Sequence, residues 1–80
     1  MTKKEIYHKA VGCNIPIDWN MFLKRGRLYP TEMRSYCYKE CRRVADKTDT
    51  DYKCRQASYM MFNWMKNVWI DSNRPFDDVG

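Results

Sequence analysis

The segment that most constrains this chain is Ser58-Tyr59-Met60-Met61-Phe62-Asn63-Trp64-Met65-Lys66-Asn67-Val68-Trp69-Ile70. On a helical projection it is apolar on nearly every side. Cys54, Ala57, Met61, Trp64 or Met65, and Val68 make one stripe, and Tyr59, Phe62 and Trp69 make another. A helix with two apolar faces either runs through the centre of its domain or keeps one face for a partner. Met and aromatic side chains are favoured in adaptable and hot-spot surfaces. The first stripe is therefore expected in the core, with Tyr59, Phe62 and Trp69 as the candidate partner-binding face, for another protein or for a second copy in a homo-dimer. Asn63, Lys66 and Asn67 interrupt the run, which is well short of the roughly 20 apolar residues that cross a bilayer. No membrane partner is expected.

Punctuation upstream predicts an all-α fold of about four helices. Thr2-Lys3-Lys4-Glu5 has capping-box spacing, and Ile6, Tyr7, Ala10 and Val11 follow at helical intervals before Gly12, a C-cap residue. The first helix is placed at about 3–11. Pro16 breaks the chain, Asp18 caps a short second helix at about 18–25 carrying Trp19, Phe22 and Leu23, and Gly26 ends it. After Pro30, Thr31 is the expected cap of a third helix at about 31–47, with Met33, Cys37, Cys41 and Val44 as its apolar stripe. Thr48, Asp49 or Thr50 then caps a fourth helix at about 51–70. The short polar turn makes the third and fourth helices a long antiparallel hairpin. Residues 71–80 form an acidic tail. β-branched residues are scattered without strand alternation.

A chain of 80 residues is expected to hold one domain, in which folding buries about 60–65% of the surface. Three Trp, six Tyr, three Phe and six Met provide bulk for such a small core. No apolar leader follows Met1-Thr2-Lys3-Lys4-Glu5, so the expected compartment is the cytoplasm. There the four cysteines are expected as reduced thiols. A secreted fragment would instead pair them, with three possible connectivities.

Cys37 and Cys41 lie one helical turn apart, Cys54 opens the next helix, and Cys13 or His8 could complete a tetrahedral zinc shell. The common Cys-x-x-Cys knuckle is missing, and hairpin geometry sets Cys41 about one turn from Cys54. The preferred reading of the four thiols is therefore buried apolar side chains, with no metal and no cofactor expected. His8, the one histidine, sits between Tyr7 and Lys9 on the polar side of its helix. Without a second histidine, a nucleophile elbow, a phosphate-cradling loop or a His-Glu-x-x-His pair, no catalytic residue is expected.

Net charge is +5, and between Lys24 and Arg55 ten basic residues face five acids. Arg42, Arg43, Lys47, Lys53 and Arg55 gather around the hairpin tip, and Lys24, Arg25 and Arg27 around the end of the second helix. This set could follow a phosphate backbone or meet an acidic protein. Interspersed Glu40, Asp46, Asp49 and Asp51 suit an ordinary solvated face equally well. A helix-turn-helix over residues 5–28 is the lesser alternative. Trp19 to Leu28 looks like the end of an excisionase-type recognition helix, but Pro16 occupies the connector, His8 takes the place of the usual small residue, and no wing strands follow.

No family motif covers the chain. Its start, its length and its Met- and aromatic-rich helix resemble, in general character, the small early or accessory proteins of tailed bacteriophages. That resemblance implies a protein-binding regulator or inhibitor acting on a host factor or host defence enzyme in the host cytoplasm. The positive charge disfavours a DNA mimic. The alternative function is a small basic nucleic-acid-binding protein.

Overall fold

The computed structural model describes residues 1–13, 17–24 and 27–72, with backbone alone at Lys24 and Arg27. Helix α1 spans Lys3–Cys13, a 3-10 turn spans Trp19–Phe22, strands β1 (Leu23–Lys24) and β2 (Arg27–Leu28) pair antiparallel, and helices α2 (Pro30–Val44) and α3 (Asp51–Asp71) follow. The class is all-α, with three α-helices among the described residues rather than four. The acidic tail beyond Ser72 lies outside the described residues.

Local chemistry accounts for the boundaries. Thr2 Oγ1 accepts the Glu5 backbone N–H at 3.2 Å, which starts α1 where the capping box places it. The helix runs through Gly12 to Cys13 instead of stopping at Gly12. Asp18 does act as a cap, accepting the Asn20 N–H at 3.1 Å, but it opens only one 3-10 turn. Leu23 is already extended, and the chain turns back with Leu23 facing Leu28 and Lys24 facing Arg27. The expected second helix at 18–25 is corrected accordingly.

Helix α2 begins at Pro30, not Thr31. Proline suits the first helical position because it has no N–H to leave unpaired. It also ends at Val44, three residues before Lys47. The Asp49 carboxylate accepts the Asp46 N–H at 2.9 Å, while the Asp49 N–H bonds Asp46 O at 3.0 Å. This reciprocal pair fixes 46–49 as a turn and pre-empts a further helical bond. The Met1 amino group donates to the same carboxylate at 2.8 Å, so the nearly buried Asp49 is fully partnered. Thr50 then caps α3 through the Lys53 N–H at 3.2 Å.

The core is one cluster drawn from the three helices, the 3-10 turn and β2: Ile6 and Ala10 from α1, Phe22 and Leu28 from the turn and β2, Met33, Cys37 and Cys41 from α2, and Cys54, Ala57, Met61, Phe62, Met65 and Trp69 from α3. Contacts between α2 and α3 progress in opposite senses along the two helices: Arg42 meets Cys54, and Arg34 lies over Phe62. Helix α1 packs on both, so α3 has neighbours on two sides.

Candidate functional site

The expected aromatic face does not survive as an exposed patch. Phe62 and Trp69 are each only 5% exposed, whereas Tyr59 is 59% exposed. The cause is visible at each ring. The Arg34 guanidinium, from α2, lies 4.8 Å from the Phe62 centroid and closes over it. Trp19, from the 3-10 turn, packs 5.1 Å from Trp69 at a tilt of 54°. Conversely Trp64 and Val68, expected inside, are half-buried, and Met65 is wholly buried. The inward line of α3 therefore steps from Ala57 through Met61 and Met65 to Trp69.

The basic set is also dispersed. Arg43 donates to Glu40 through Nε at 3.0 Å, and Arg55 donates to Asp51 at 2.7 Å. Arg42 reaches the Cys54 sulfur at 3.6 Å. Lys47 is exposed in the turn, and Lys53 is half-buried in the first turn of α3. Lys24 and Arg27 sit on the paired strands, and Arg25 lies outside the described residues. Among the described members, no group of guanidiniums forms a continuous uncompensated stripe at the hairpin tip.

The three inner thiols are core. Cys37, Cys41 and Cys54 are fully buried, and Cys37 meets the Met65 sulfur at 3.4 Å. Burial, reinforced by the neighbouring thiol and Glu40, pushes both Cys37 and Cys41 up to about 12. They stay protonated at neutral pH and are poor nucleophiles and ligands. Cys13 is exposed on α1, and His8 is exposed at the centre of that helix, away from these sulfurs in accessibility. Among the described residues no group of three or more His, Cys, Asp or Glu is arranged to hold a metal ion.

What the fold does bring together is a groove between α2 and α3, about 330 Å³ in volume. Arg34, Ser35 and Tyr38 line it from α2, and Arg55, Ser58, Tyr59 and Phe62 from α3. Phe62, nearly buried beneath Arg34, and the exposed ring of Tyr59 both belong to this lining. At one end the Tyr38 hydroxyl donates a hydrogen bond to Asp51, which also accepts from Arg55. These contacts, with the Tyr38 bond the larger, hold the Asp51 carboxyl below its ordinary range. The bond to Asp51 also raises Tyr38, because its proton is held against a carboxylate, while Arg42 and Arg55 act in the opposite sense. Ser58 Oγ donates to the Arg55 carbonyl at 2.7 Å, so its acceptor lone pairs remain for a ligand.

Arg34 differs from Arg43 and Arg55, which pair with carboxylates. It is exposed, its guanidinium lies over the Phe62 ring, 4.8 Å from the centroid, and it makes no ion pair with any described residue. A guanidinium held by an aromatic face keeps its N–H edge free for a carboxylate or phosphate. Neither Arg34 nor Tyr38 belonged to the sequence-level site. The signal that could have found Arg34 was the packing of α2 on α3, which sets it over Phe62.

No helix among the described residues is long and apolar enough to cross a membrane. The chain matches no protein-family model, no curated protein and no solved structure.

Proposed function

We propose that this chain is a non-enzymatic binding protein, a regulator or inhibitor that holds an acidic segment of a protein partner in the groove of its α2–α3 antiparallel hairpin. The observation that carries the reading is Arg34: a cation pre-positioned on Phe62, without a carboxylate among the described residues, beside the exposed ring of Tyr59. Arginine and tyrosine are the residue types that most often anchor protein interfaces, because each provides contact area and hydrogen bonds at low conformational cost. The inert state of Cys37 and Cys41 supports binding over covalent chemistry.

Nucleic-acid binding is the weaker reading. It needs cations clustered along a track, and here Glu40 and Asp51 pair with Arg43 and Arg55. Affinity capture with purified variants tests the choice. The partner should be retained by the wild-type protein, lost with Arg34→Glu or Tyr59→Arg, and kept when Arg42 and Arg43 are reversed together. Retention of nucleic acid with a steep salt dependence, abolished by the Arg42 and Arg43 reversal, would replace the proposal with the alternative.

A further inference from the structure

We infer that Asp51 is the specificity-determining residue of the groove: by occupying Arg55 and the Tyr38 hydroxyl, it leaves Arg34 as the single cation without a carboxylate among the described lining residues and makes the groove select a carboxylate over a phosphate. This rests on the reading of the groove as a protein-binding site, and it commits the occupant to a peptide segment with an Asp or Glu beside an apolar side chain.

The charge arithmetic is local. Two guanidiniums face the groove, and one of them, Arg55, has its Nε–H donated to Asp51 at 2.7 Å. Asp51 accepts the Tyr38 O–H hydrogen bond as well, so the hydroxyl cannot donate to a ligand while the bond holds. The lining thus offers one free fork, on Arg34, and one retained negative charge at the opposite end. A carboxylate matches a single planar fork in two parallel hydrogen bonds. A phosphomonoester carries roughly −1.5 to −2 charge at neutral pH and needs a second cation. Here the second cation of the lining, Arg55, is engaged by Asp51. The exposed Tyr59 ring accounts for the apolar neighbour, since it puts a hydrocarbon surface in the same groove as the fork.

Three capped tetrapeptides serve as probes: one with adjacent Phe and Glu, one with Gln replacing Glu, and one with phosphoserine replacing Glu. Binding to the full chain is read by NMR from the Arg34 Nε–H and the Tyr59 ring. In the wild-type protein the Glu peptide should bind about tenfold more tightly than the Gln peptide, and at least as tightly as the phosphoserine peptide, a difference typical of one charge-assisted contact. Asp51→Asn should raise affinity for the phosphoserine peptide about tenfold, and adding Arg55→Gln should remove that gain. Thr50 supplies the N-cap of α3 independently of Asp51, and Asp51→Ser gives the same test in a second background. A wild-type preference for phosphoserine, or an unchanged ratio in both Asp51 variants, would overturn the inference. If no probe moves the groove signals while partner capture still depends on Tyr59, the carboxylate assignment falls and the protein-binding reading stands.

Discussion

The two sides of α3 use the same residue types for opposite ends. Inside, Met61, Met65, Phe62 and Trp69 are enclosed by α1, α2 and the 3-10 turn; outside, Tyr59 presents an equally large ring to solvent, and Arg55 and Ser58 flank it. Phe62 and Tyr59 are separated by less than one helical turn, yet one is roofed by Arg34 and the other is not. Apolar content along a helix therefore says which residues want cover. The neighbours decide which of them receive it.

The strongest way to break this contrast is at the enclosed rings. Phe62→Ala and Trp69→Ala should each destabilise by about 3–5 kcal/mol, the cost of deleting a large buried aromatic. Against a total of about 5–15 kcal/mol for a small domain, either change threatens the fold, and thermal or denaturant melting reads it directly. A neutral Phe62→Ala would mean that its ring is not part of the core.

Met65→Ala should cost about 2–5 kcal/mol, because Met65 is wholly enclosed and meets the Cys37 sulfur. Half-buried Trp64, changed to Ala, should cost less than the same change at Trp69. The reverse order in matched melts would show that the inward line of α3 follows Trp64 after all. Thiol accessibility sharpens the comparison from another direction. In the native state Cys13 should react with a thiol reagent well ahead of Cys37, Cys41 and Cys54, which are fully buried. Equal rates would mean that the core opens readily.

Tyr59→Ala should change stability by no more than about 0.5 kcal/mol, as for most surface positions, while abolishing partner capture. The smallest effect lies at the end of the groove. Tyr38 titrates above its ordinary 10.0 chiefly because its hydroxyl donates a hydrogen bond to Asp51, and Asp51 titrates below its ordinary 3.8 chiefly because of that same bond. Both shifts stabilise the fold between those two values. The Tyr38 contribution is lost as pH rises through its raised pKa, and the Asp51 contribution as pH falls through its lowered one. Asp51→Asn should move the Tyr38 ring titration, followed by carbon NMR, down toward 10.0. An unmoved titration would mean that the hydroxyl is not held by Asp51 in solution.

Much of the secondary structure was legible because its causes are local. Thr2 and Thr50 cap with side-chain oxygens three residues from the N–H they accept, and the 33–37–41 stripe of α2 is a property of helical spacing. Residues 18–25 misled because Asp18 caps a 3-10 turn as readily as an α-helix. The strand pairing that follows depends on Leu23 meeting Leu28, which no cap residue announces. The candidate site was less legible. Tyr59 and Arg55 were singled out, but for different surfaces, and Arg34 and Tyr38 joined them only through the packing of α2 on α3.

Chain chemistry alone determined that this protein is helical, where α1 and α3 begin, and that α3 carries more apolar surface than one neighbour can cover. Those properties follow from backbone capping and side-chain period, both set within a few residues. Only the tertiary structure decided which aromatic rings were enclosed and that Arg34, Tyr38, Arg55 and Tyr59 share one groove. The Arg43–Glu40 and Arg55–Asp51 pairs are local, three and four residues apart within one helix, whereas burial depends on residues distant in the chain.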